Sequence, residues 1–255
     1  MWSATTGQEL CAFGKDDGLV QCIALFSDGT TAVTGGYNGK VRTWKIDSGE
    51  QLWVFAGHRN PVYSVAVSPN NCTIASASGD TTIRLWNVRN GLCKATLTGH
   101  GNWVQCVAFS ADGRILASGS SDCTVKLWNM VDLTHLRTFR GHTNAVYGVA
   151  FDGERLLSGS ADSTIRVWKW ESGELQQTLR GHAGWVNCVV MFPGGGRLAS
   201  GGDDGTVGIW NVHTGERECT LRGYADGVTS VAVSCDGRTL VSGSRDNSVQ
   251  MWTLQ

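Results

Sequence analysis

The amino-acid sequence predicts an all-β fold of six similar modules, each made of four short antiparallel strands. Tryptophans recur at intervals of 40 or 42 residues through the chain, and an Asp or Asn stands six positions before each. The tryptophans are Trp44, Trp86, Trp128, Trp168, Trp210 and Trp252, and the residues before them are Asn38, Asp80, Asp122, Asp162, Asp204 and Asp246. A repeat of this length indicates a repeat architecture, and no stretch shows the apolar period of a helix.

The second module shows the four predicted strands most clearly. Residues 62–67 and 73–78 are short apolar and β-branched runs, and residues 82–86 alternate between polar and apolar side chains. Residues 93–97 follow as a fourth run. Gly, Asn, Asp and Ser separate these runs, which is typical of strands joined by tight turns.

Gly-His pairs recur in phase with the tryptophans, and together they carry a resemblance to a known family. The pairs are Gly57-His58, Gly99-His100, Gly141-His142 and Gly181-His182. A unit with four strands, a Gly-His pair and a Trp resembles the WD (tryptophan–aspartate) repeat. The residue after each Trp is Lys, Asn or Thr rather than Asp, at a position that is variable in the family. The resemblance covers the whole chain and implies a β-propeller. The count of six modules predicts six blades, formed by residues 1–255 as a single domain.

The first residues of the chain continue the repeat in the phase of a fourth strand. Residues 9–13 match residues 51–55, whereas the sequence ends just after the third strand of its last module. We therefore expect residues 8–13 to pair beside residues 249–253 and to close the propeller, which removes two exposed sheet edges. The alternative is a fragment of a seven-bladed propeller.

The resemblance implies a buried hydrogen-bond network of four side chains in each complete module. A Ser or Thr stands four residues before every Asp or Asn of the turn, and this position is hydroxylic in all six modules. The indole N–H only donates, the carboxylate only accepts, and hydroxyl and imidazole relay between them. The four sets are His58, Ser76, Asp80 and Trp86; His100, Ser118, Asp122 and Trp128; His142, Ser158, Asp162 and Trp168; and His182, Ser200, Asp204 and Trp210.

Ser, His and Asp together also suggest a hydrolase, but the structural interpretation is favoured. A nucleophilic site is normally built once, whereas this set recurs four times in register. A Ser that is buried and locked by a Trp has no access to substrate. We therefore expect no enzyme activity and no catalytic residues.

Two modules depart from this pattern. Lys15 and Asn38 stand at the His and Asp positions of the first module, and Tyr224 replaces the His of the last. The two modules would be neighbours in a closed propeller. We therefore expect this seam to be its least rigid part.

Basic residues stand two positions before four of the tryptophans. They are Arg42, Arg84, Lys126 and Arg166, and the series ends with Gly208 and Gln250. Contact with phosphates is one interpretation. Packing of the side-chain stems between blades is favoured, because a nucleic-acid footprint should also appear in the net charge.

The family architecture places the His loop and the Asp turn at one end of each blade, which we call the top face. The residues three and five after each His, and those just before each Asp, should rim it. They vary between modules and include Trp and Tyr, which dominate binding hot spots. The residues predicted to bind partners are Tyr37, Tyr63, Trp103, Gln105, Tyr147, Trp185, Asn187, Asp203 and Arg245.

Composition argues against several other classes of protein. Lys plus Arg is 21 and Asp plus Glu is 22, so net charge gives no reason to expect nucleic acid or an anionic membrane as partner. No apolar stretch is long enough to span a bilayer, and the first residues do not resemble a secretory signal. The nine cysteines include no C-x-x-C pair. We expect reduced thiols, no metal, no cofactor, and a cytoplasmic or nuclear location.

These observations favour a protein-interaction scaffold or recognition subunit that binds proteins or peptides on the top face, within a multiprotein complex. A propeller enzyme and a locally RNA- or DNA-binding propeller are the alternatives, and both are disfavoured. Cys22, Cys106 and Cys188 share one repeat position, which Ser64, Gly148 and Ser230 fill elsewhere. We expect cysteine to serve there as a small hydrophobe.

Overall fold

A computed structural model describes residues 6–9, 12 and 18–254 of the chain. These residues form 23 β-strands and include no helix, so none of them belongs to a helix long and apolar enough to span a membrane. The chain forms two compact units, one of residues 1–118 and 128–135 and the other of residues 119–127 and 136–255. The prediction of a single domain stays a prediction.

The first unit contains two complete four-stranded sheets, which pair in the orders β1-β2-β3-β4 and β5-β6-β7-β8. The strands are β1 (Val20–Leu25), β2 (Thr31–Gly36), β3 (Val41–Lys45), β4 (Gln51–Phe55), β5 (Val62–Val67), β6 (Thr73–Ser78), β7 (Ile83–Asn87) and β8 (Cys93–Leu97). A third sheet has the order β12-β11-β10-β9. Its strands are β9 (Val104–Phe109), β10 (Ile115–Ser120), β11 (Val125–Asn129) and β12 (His135–Phe139).

The second unit contains two further four-stranded sheets and one of three strands. The first two pair in the orders β13-β14-β15-β16 and β17-β18-β19-β20, and the last in the order β21-β22-β23. The strands are β13 (Val146–Asp152), β14 (Arg155–Ser160), β15 (Thr164–Lys169), β16 (Glu174–Arg180), β17 (Val186–Met191), β18 (Arg197–Gly202), β19 (Thr206–Asn211), β20 (Arg217–Arg222), β21 (Val228–Val233), β22 (Thr239–Ser244) and β23 (Val249–Thr253).

The repeat in the sequence becomes a repeat in strand register. The first and second strands of a sheet shift register at one place, between Val62 and Ser64 in the second sheet and between Val186 and Cys188 in the fifth. The third and fourth strands shift just before the Trp, as at Leu85 and Trp86. An extra residue at a fixed position bends and twists each sheet in the same way.

Apolar side chains between successive sheets form the core of each unit. In the first unit, Val33 and Phe55 pack in one cluster with Ile74 and Trp86 of the next sheet. In the second unit, Leu157, Ile165, Leu198 and Trp210 share a cluster in the same way. The second strands are the most buried, because both faces of a blade are covered there.

The predicted fold class, an all-β propeller of six blades, is confirmed. The strand ranges predicted for the second module agree with β5, β6 and β8, and β7 begins one residue later than predicted. The segment predicted to close the last sheet, residues 8–13, lies largely outside the described residues.

Candidate interaction surface

Backbone hydrogen bonds bring the two groups of predicted top-face residues side by side. The amide of the residue before the turn Asp donates to the carbonyl of the residue three after the His or Tyr. In the second unit, Asp203 donates in this way to Trp185 at 2.8 Å, and Arg245 to Gly227 at 3.0 Å. Gly79 donates to Pro61 at 2.9 Å in the first unit. The sheets that contain these bonds therefore present a residue of the His or Tyr loop and a turn residue as one local surface.

In the second unit, Tyr147 and Trp185 form an aromatic pair. Their ring centroids lie 5.9 Å apart with an angle of 31° between the planes. Trp185 is 44% exposed, whereas Tyr147 is half-buried. Burial raises the pKa of Tyr147 and the nearby Asp203 carboxylate adds to this, so its phenol stays protonated at neutral pH. The pair offers a rigid apolar surface that keeps one hydrogen-bonding group.

Asp203 joins polar side chains from two repeats of the second unit. Its Oδ1 accepts a hydrogen bond from Asn187 Nδ2 at 2.8 Å and one from Arg245 Nη1 at 2.6 Å. Asn187 also donates to the carbonyl of Val228 at 2.9 Å. The bond to Asp203 holds the Arg245 guanidinium next to the repeat that carries Trp185. Arg245 has five N–H groups, so it keeps further donors for a ligand.

The first unit repeats the aromatic pair at equivalent positions. Tyr63 and Trp103 lie 5.8 Å apart between centroids, and Trp103 is 50% exposed. Tyr37 is 57% exposed at the turn of the first sheet, and Gln105 is half-buried on β9. The structure therefore places two of the predicted aromatics of this unit in contact.

Beneath this surface, His, Ser, Asp and Trp side chains form chains of hydrogen bonds. His58 lies 2.8 Å from Asp80 Oδ2 through Nδ1 and 2.7 Å from Ser76 Oγ through Nε2, and Trp86 Nε1 donates to the same Ser76 oxygen at 2.8 Å. The sets of the fourth and fifth sheets have the same geometry within 0.1 Å for the Ser contacts. Their members are His142, Ser158, Asp162 and Trp168, and His182, Ser200, Asp204 and Trp210.

Burial and hydrogen bonding determine the charge state of the His58 set. Burial lowers the pKa of His58 and outweighs the opposing pull of Asp80, so the imidazole is neutral. Burial alone would raise the pKa of Asp80, but hydrogen bonds from Thr82 and His58 outweigh it and lower that pKa. The ionised Asp80 holds the proton of His58 on Nδ1, and Nε2 accepts from the Ser76 hydroxyl.

This is the proton arrangement of a hydrolytic triad, but the hydroxyl is closed off. Ser76, Ser158 and Ser200 are each 0% exposed, and an indole N–H donates to each hydroxyl oxygen. A nucleophile needs a reacting carbon about 3 Å away. The arrangement therefore rigidifies each sheet end rather than supplying a reactive group.

The third set is described in part. His100 Nε2 lies 2.8 Å from Ser118 Oγ, to which Trp128 Nε1 donates at 2.9 Å. Asp122 accepts hydrogen bonds from the amide and hydroxyl of Thr124.

The two departing repeats keep the bond between indole and hydroxyl. Trp44 Nε1 donates to Thr34 Oγ1 at 2.8 Å, and Trp252 Nε1 donates to Ser242 Oγ at 2.8 Å. Tyr224 takes the place of His and bonds Ser242 through its own hydroxyl, 2.6 Å from Oγ. Asp246 therefore has no His partner, but its carboxylate still accepts the hydrogen bond from Ser248 Oγ. Lys15 lies outside the described residues.

Sequence reasoning missed a fifth member of each set. A Thr or Ser two residues after the Asp donates both its amide and its hydroxyl to one carboxylate oxygen. The hydroxyl distances lie between 2.5 and 2.7 Å. The residues are Thr82, Thr124, Thr164, Thr206 and Ser248. The sequence carried this information, because every Asp of the repeat has a hydroxyl residue at this spacing.

The described part of the chain holds no group of three or more His, Cys, Asp or Glu side chains placed to bind a metal ion. The family model for the WD40 repeat (WD domain, G-beta repeat) matches six segments of the chain. They are residues 7–45, 49–87, 91–129, 133–169, 173–211 and 215–253. No curated protein matches the sequence.

Proposed function

Because the chain belongs to the WD-repeat family, whose propellers generally serve as protein-interaction scaffolds, we propose that it binds protein or peptide partners through its top-face side chains. The binding residues are those of the aromatic pairs and the Asp203 cluster. The protein would act as a recognition subunit of a larger complex and not as an enzyme.

The single observation that carries this proposal is the surface formed by Tyr147, Trp185 and Asp203. An exposed Trp packed on a Tyr supplies large contact area at low conformational cost. The adjacent Asp203 is held by Asn187 and Arg245, so its orientation is fixed before a partner arrives. Aromatic anchors beside pre-organised polar groups are the composition of binding hot spots.

The chemistry of this surface suits a peptide with both an apolar side chain and an acidic or carbonyl acceptor. The apolar group would cover Trp185, and the acceptor would meet the Arg245 donors. A purely hydrophobic ligand would bury the Asp203–Arg245 pair without replacing its lost water, which costs free energy.

Affinity purification with quantitative mass spectrometry tests this proposal. Trp185→Ala should lose the partners of the wild-type protein, with direct affinity for a recovered partner falling at least about thirtyfold, the effect of a 2 kcal/mol hot spot. Trp170→Ala is the matched control, since Trp170 is a partly exposed Trp just after β15, at the other end of that strand from the Asp162 turn. Equal retention of partners by both variants would reject the top-face site.

A further inference from the structure

The first unit has a pocket of about 190 Å³ at the other end of its sheets from Tyr63 and Trp103. Its walls include Phe26 and Asp28 near the β1–β2 turn, and Val88 just after β7. The other residues that line it are Thr31, Thr43, Leu52, Trp53 and Asn71. The proposed top-face function does not use this pocket.

Thr43 brings an unsatisfied hydroxyl to the pocket. The residue is 1% exposed, and its Oγ1 has no hydrogen-bond partner among the described residues. Leaving a buried hydroxyl unpaired costs about 1 to 3 kcal/mol. A side chain in this state calls for a functional explanation.

Comparison between repeats shows that the fold itself does not need this hydroxyl. The residue before each Trp is apolar in all five other repeats: Leu85, Leu127, Val167, Ile209 and Met251. A Val at position 43 would match these residues and would leave no buried hydroxyl without a hydrogen-bond partner. The hydroxyl is therefore a local feature of the first repeat.

Trp53 is the second local feature and lies directly across the strands from Thr43. It is 42% exposed, and its neighbours Leu52 and Val54 are exposed as well. The residues facing the equivalent position elsewhere are small or polar: Ala95, Gln177 and Cys219. Since β4 is the edge strand of its sheet, its backbone and an indole surface are both open to an approaching chain.

Asp28 gives the pocket a negative charge. Its Oδ1 accepts hydrogen bonds from the amides of Thr30 and Thr31, at 2.8 and 3.0 Å. These bonds, that to Thr30 first, lower the pKa of Asp28, so its exposed carboxylate is ionised at neutral pH. An exposed indole, an orphan hydroxyl and a carboxylate thus line one small cavity.

We propose that this pocket binds the lysine or arginine side chain of a partner protein that lies along β4. The indole of Trp53 attracts the cation, and the Thr43 oxygen and the Asp28 carboxylate accept its N–H groups. An apolar side chain would leave the Thr43 hydroxyl unpaired, and an acidic one would be repelled by Asp28. The exposed Leu52 and Val54 favour a protein segment over a free amine, because its flanking residues can cover them.

An NMR titration of the full chain tests the ligand class by following indole N–H signals. The Trp53 signal is identified by its loss in Trp53→Phe. Nα-acetyl-arginine and Nα-acetyl-lysine methylamides should shift this signal saturably in the millimolar range, and the norleucine analogue should not. Equal shifts with norleucine, or none with either basic probe, would overturn the proposal.

Substitutions then separate binding from folding. Thr43→Val should weaken arginine binding about tenfold, the effect of a lost hydrogen bond to a charged group, while the melting temperature stays the same or rises. Thr43→Ser should keep affinity, Asp28→Asn should lower it, and Trp185→Ala should leave it unchanged. Unchanged affinity in both Thr43→Val and Asp28→Asn would contradict the assignment.

Acetyl-Val-Arg-Val-amide tests whether the pocket binds a basic side chain of a protein segment or a free cation. Its flanking residues can contact Leu52 and Val54, so it should bind several-fold more tightly than the acetyl-arginine probe. Equal affinity would show that a free cation is the ligand and would reject a partner protein.

Discussion

The guanidinium of Arg217 lies against the indole of Trp210, with Cζ 5.2 Å from the ring centroid. In the second and fourth sheets, Arg84 and Arg166 of the third strand lie over the Trp two residues later. The fifth sheet has Gly208 at that position, and Arg217 reaches the same indole from β20. The contact is thus kept while the residue that supplies it moves to another strand.

Arg217→Ala should destabilise the protein by about 1 to 2 kcal/mol. It removes the contact with Trp210 and the hydrogen bonds to the Gly181 carbonyl and the Thr206 hydroxyl, both 2.9 Å long. Gly208→Arg alone should destabilise the protein, because a Cβ at position 208 would lie 2.6 Å from Trp210 Nε1 and 3.0 Å from Arg217 Nε. In the Arg217→Ala background it should cost less, since the second of these close contacts is gone. A denaturant-based double-mutant cycle measures the coupling, and additive effects would contradict this account.

The strands and the repeated polar positions could be predicted because both recur in register. The residues of β5, β6 and β8 follow from the apolar runs, and Ser76 follows from the hydroxyl present in every repeat. Arg217 could not be predicted in this way, since it breaks register and only packing brings it to Trp210. The cluster around Asp203 depends on side chains from two repeats, whose contacts no single repeat encodes.

The Thr43 pocket shows the converse case. Its two unusual residues, Thr43 and Trp53, are visible in the sequence as departures from the repeat. Other repeats carry an apolar residue at the first position and a small or polar one at the second. What the sequence does not give is that the two departures face each other across β3 and β4. Register between strands decides that, and a shift of one residue would put them on opposite faces.

Ser200→Ala should destabilise the fold by roughly 2 to 4 kcal/mol, because Trp210 Nε1 and His182 Nε2 both lose a buried partner. Ser48→Ala, at an exposed bend, should stay within about 0.5 kcal/mol of wild type. Urea unfolding followed by circular dichroism measures both. A loss at Ser200 as small as that at Ser48 would show that the network adds little rigidity.

The free energy of unfolding should fall in two separate pH ranges as the solution becomes more acidic. Burial lowers the pKa of His58 and His182 below 6.5, so the folded state binds fewer protons than the unfolded state and stability declines as pH falls below 6.5. Net hydrogen bonding lowers the pKa of Asp80 and Asp204 below 3.8, so a second decline begins there. Above pH 6.5, these His and Asp residues all make their full contribution to the free energy of unfolding.

Unfolding free energies measured across this pH range test whether stability declines as the pH falls. His182→Gln should flatten the slope just below pH 6.5, because it removes a group whose pKa is lowered by burial. A wild-type protein that becomes more stable between pH 6.5 and 5 would contradict the assignment.

Thiol reactivity should divide the cysteines by repeat position. Cys22 and Cys188 occupy the slot for a small side chain, where burial raises the pKa of each thiol to about 12. Cys219 and Cys235 are exposed. Iodoacetamide should therefore label the exposed pair readily in the native protein, and the half-buried Cys22 and Cys188 completely only in denaturant, as mapped by mass spectrometry. If Cys188 in the native protein were labelled as fast as Cys235, this repeat position would be accessible to the reagent in the folded state.

Amide hydrogen exchange should be faster in β21–β23 than in β13–β16 of the same unit. Tyr224 bonds Ser242 directly, but Val249 is 72% exposed and Met251 is also exposed, so fewer apolar side chains hold these strands. Exchange measured by mass spectrometry on peptides around Tyr224 and His142 compares the two repeats. Equal protection would show that Tyr224 replaces the His–Asp pair without loss of rigidity. Faster exchange around Tyr224 would place the flexible part of this unit in its last repeat.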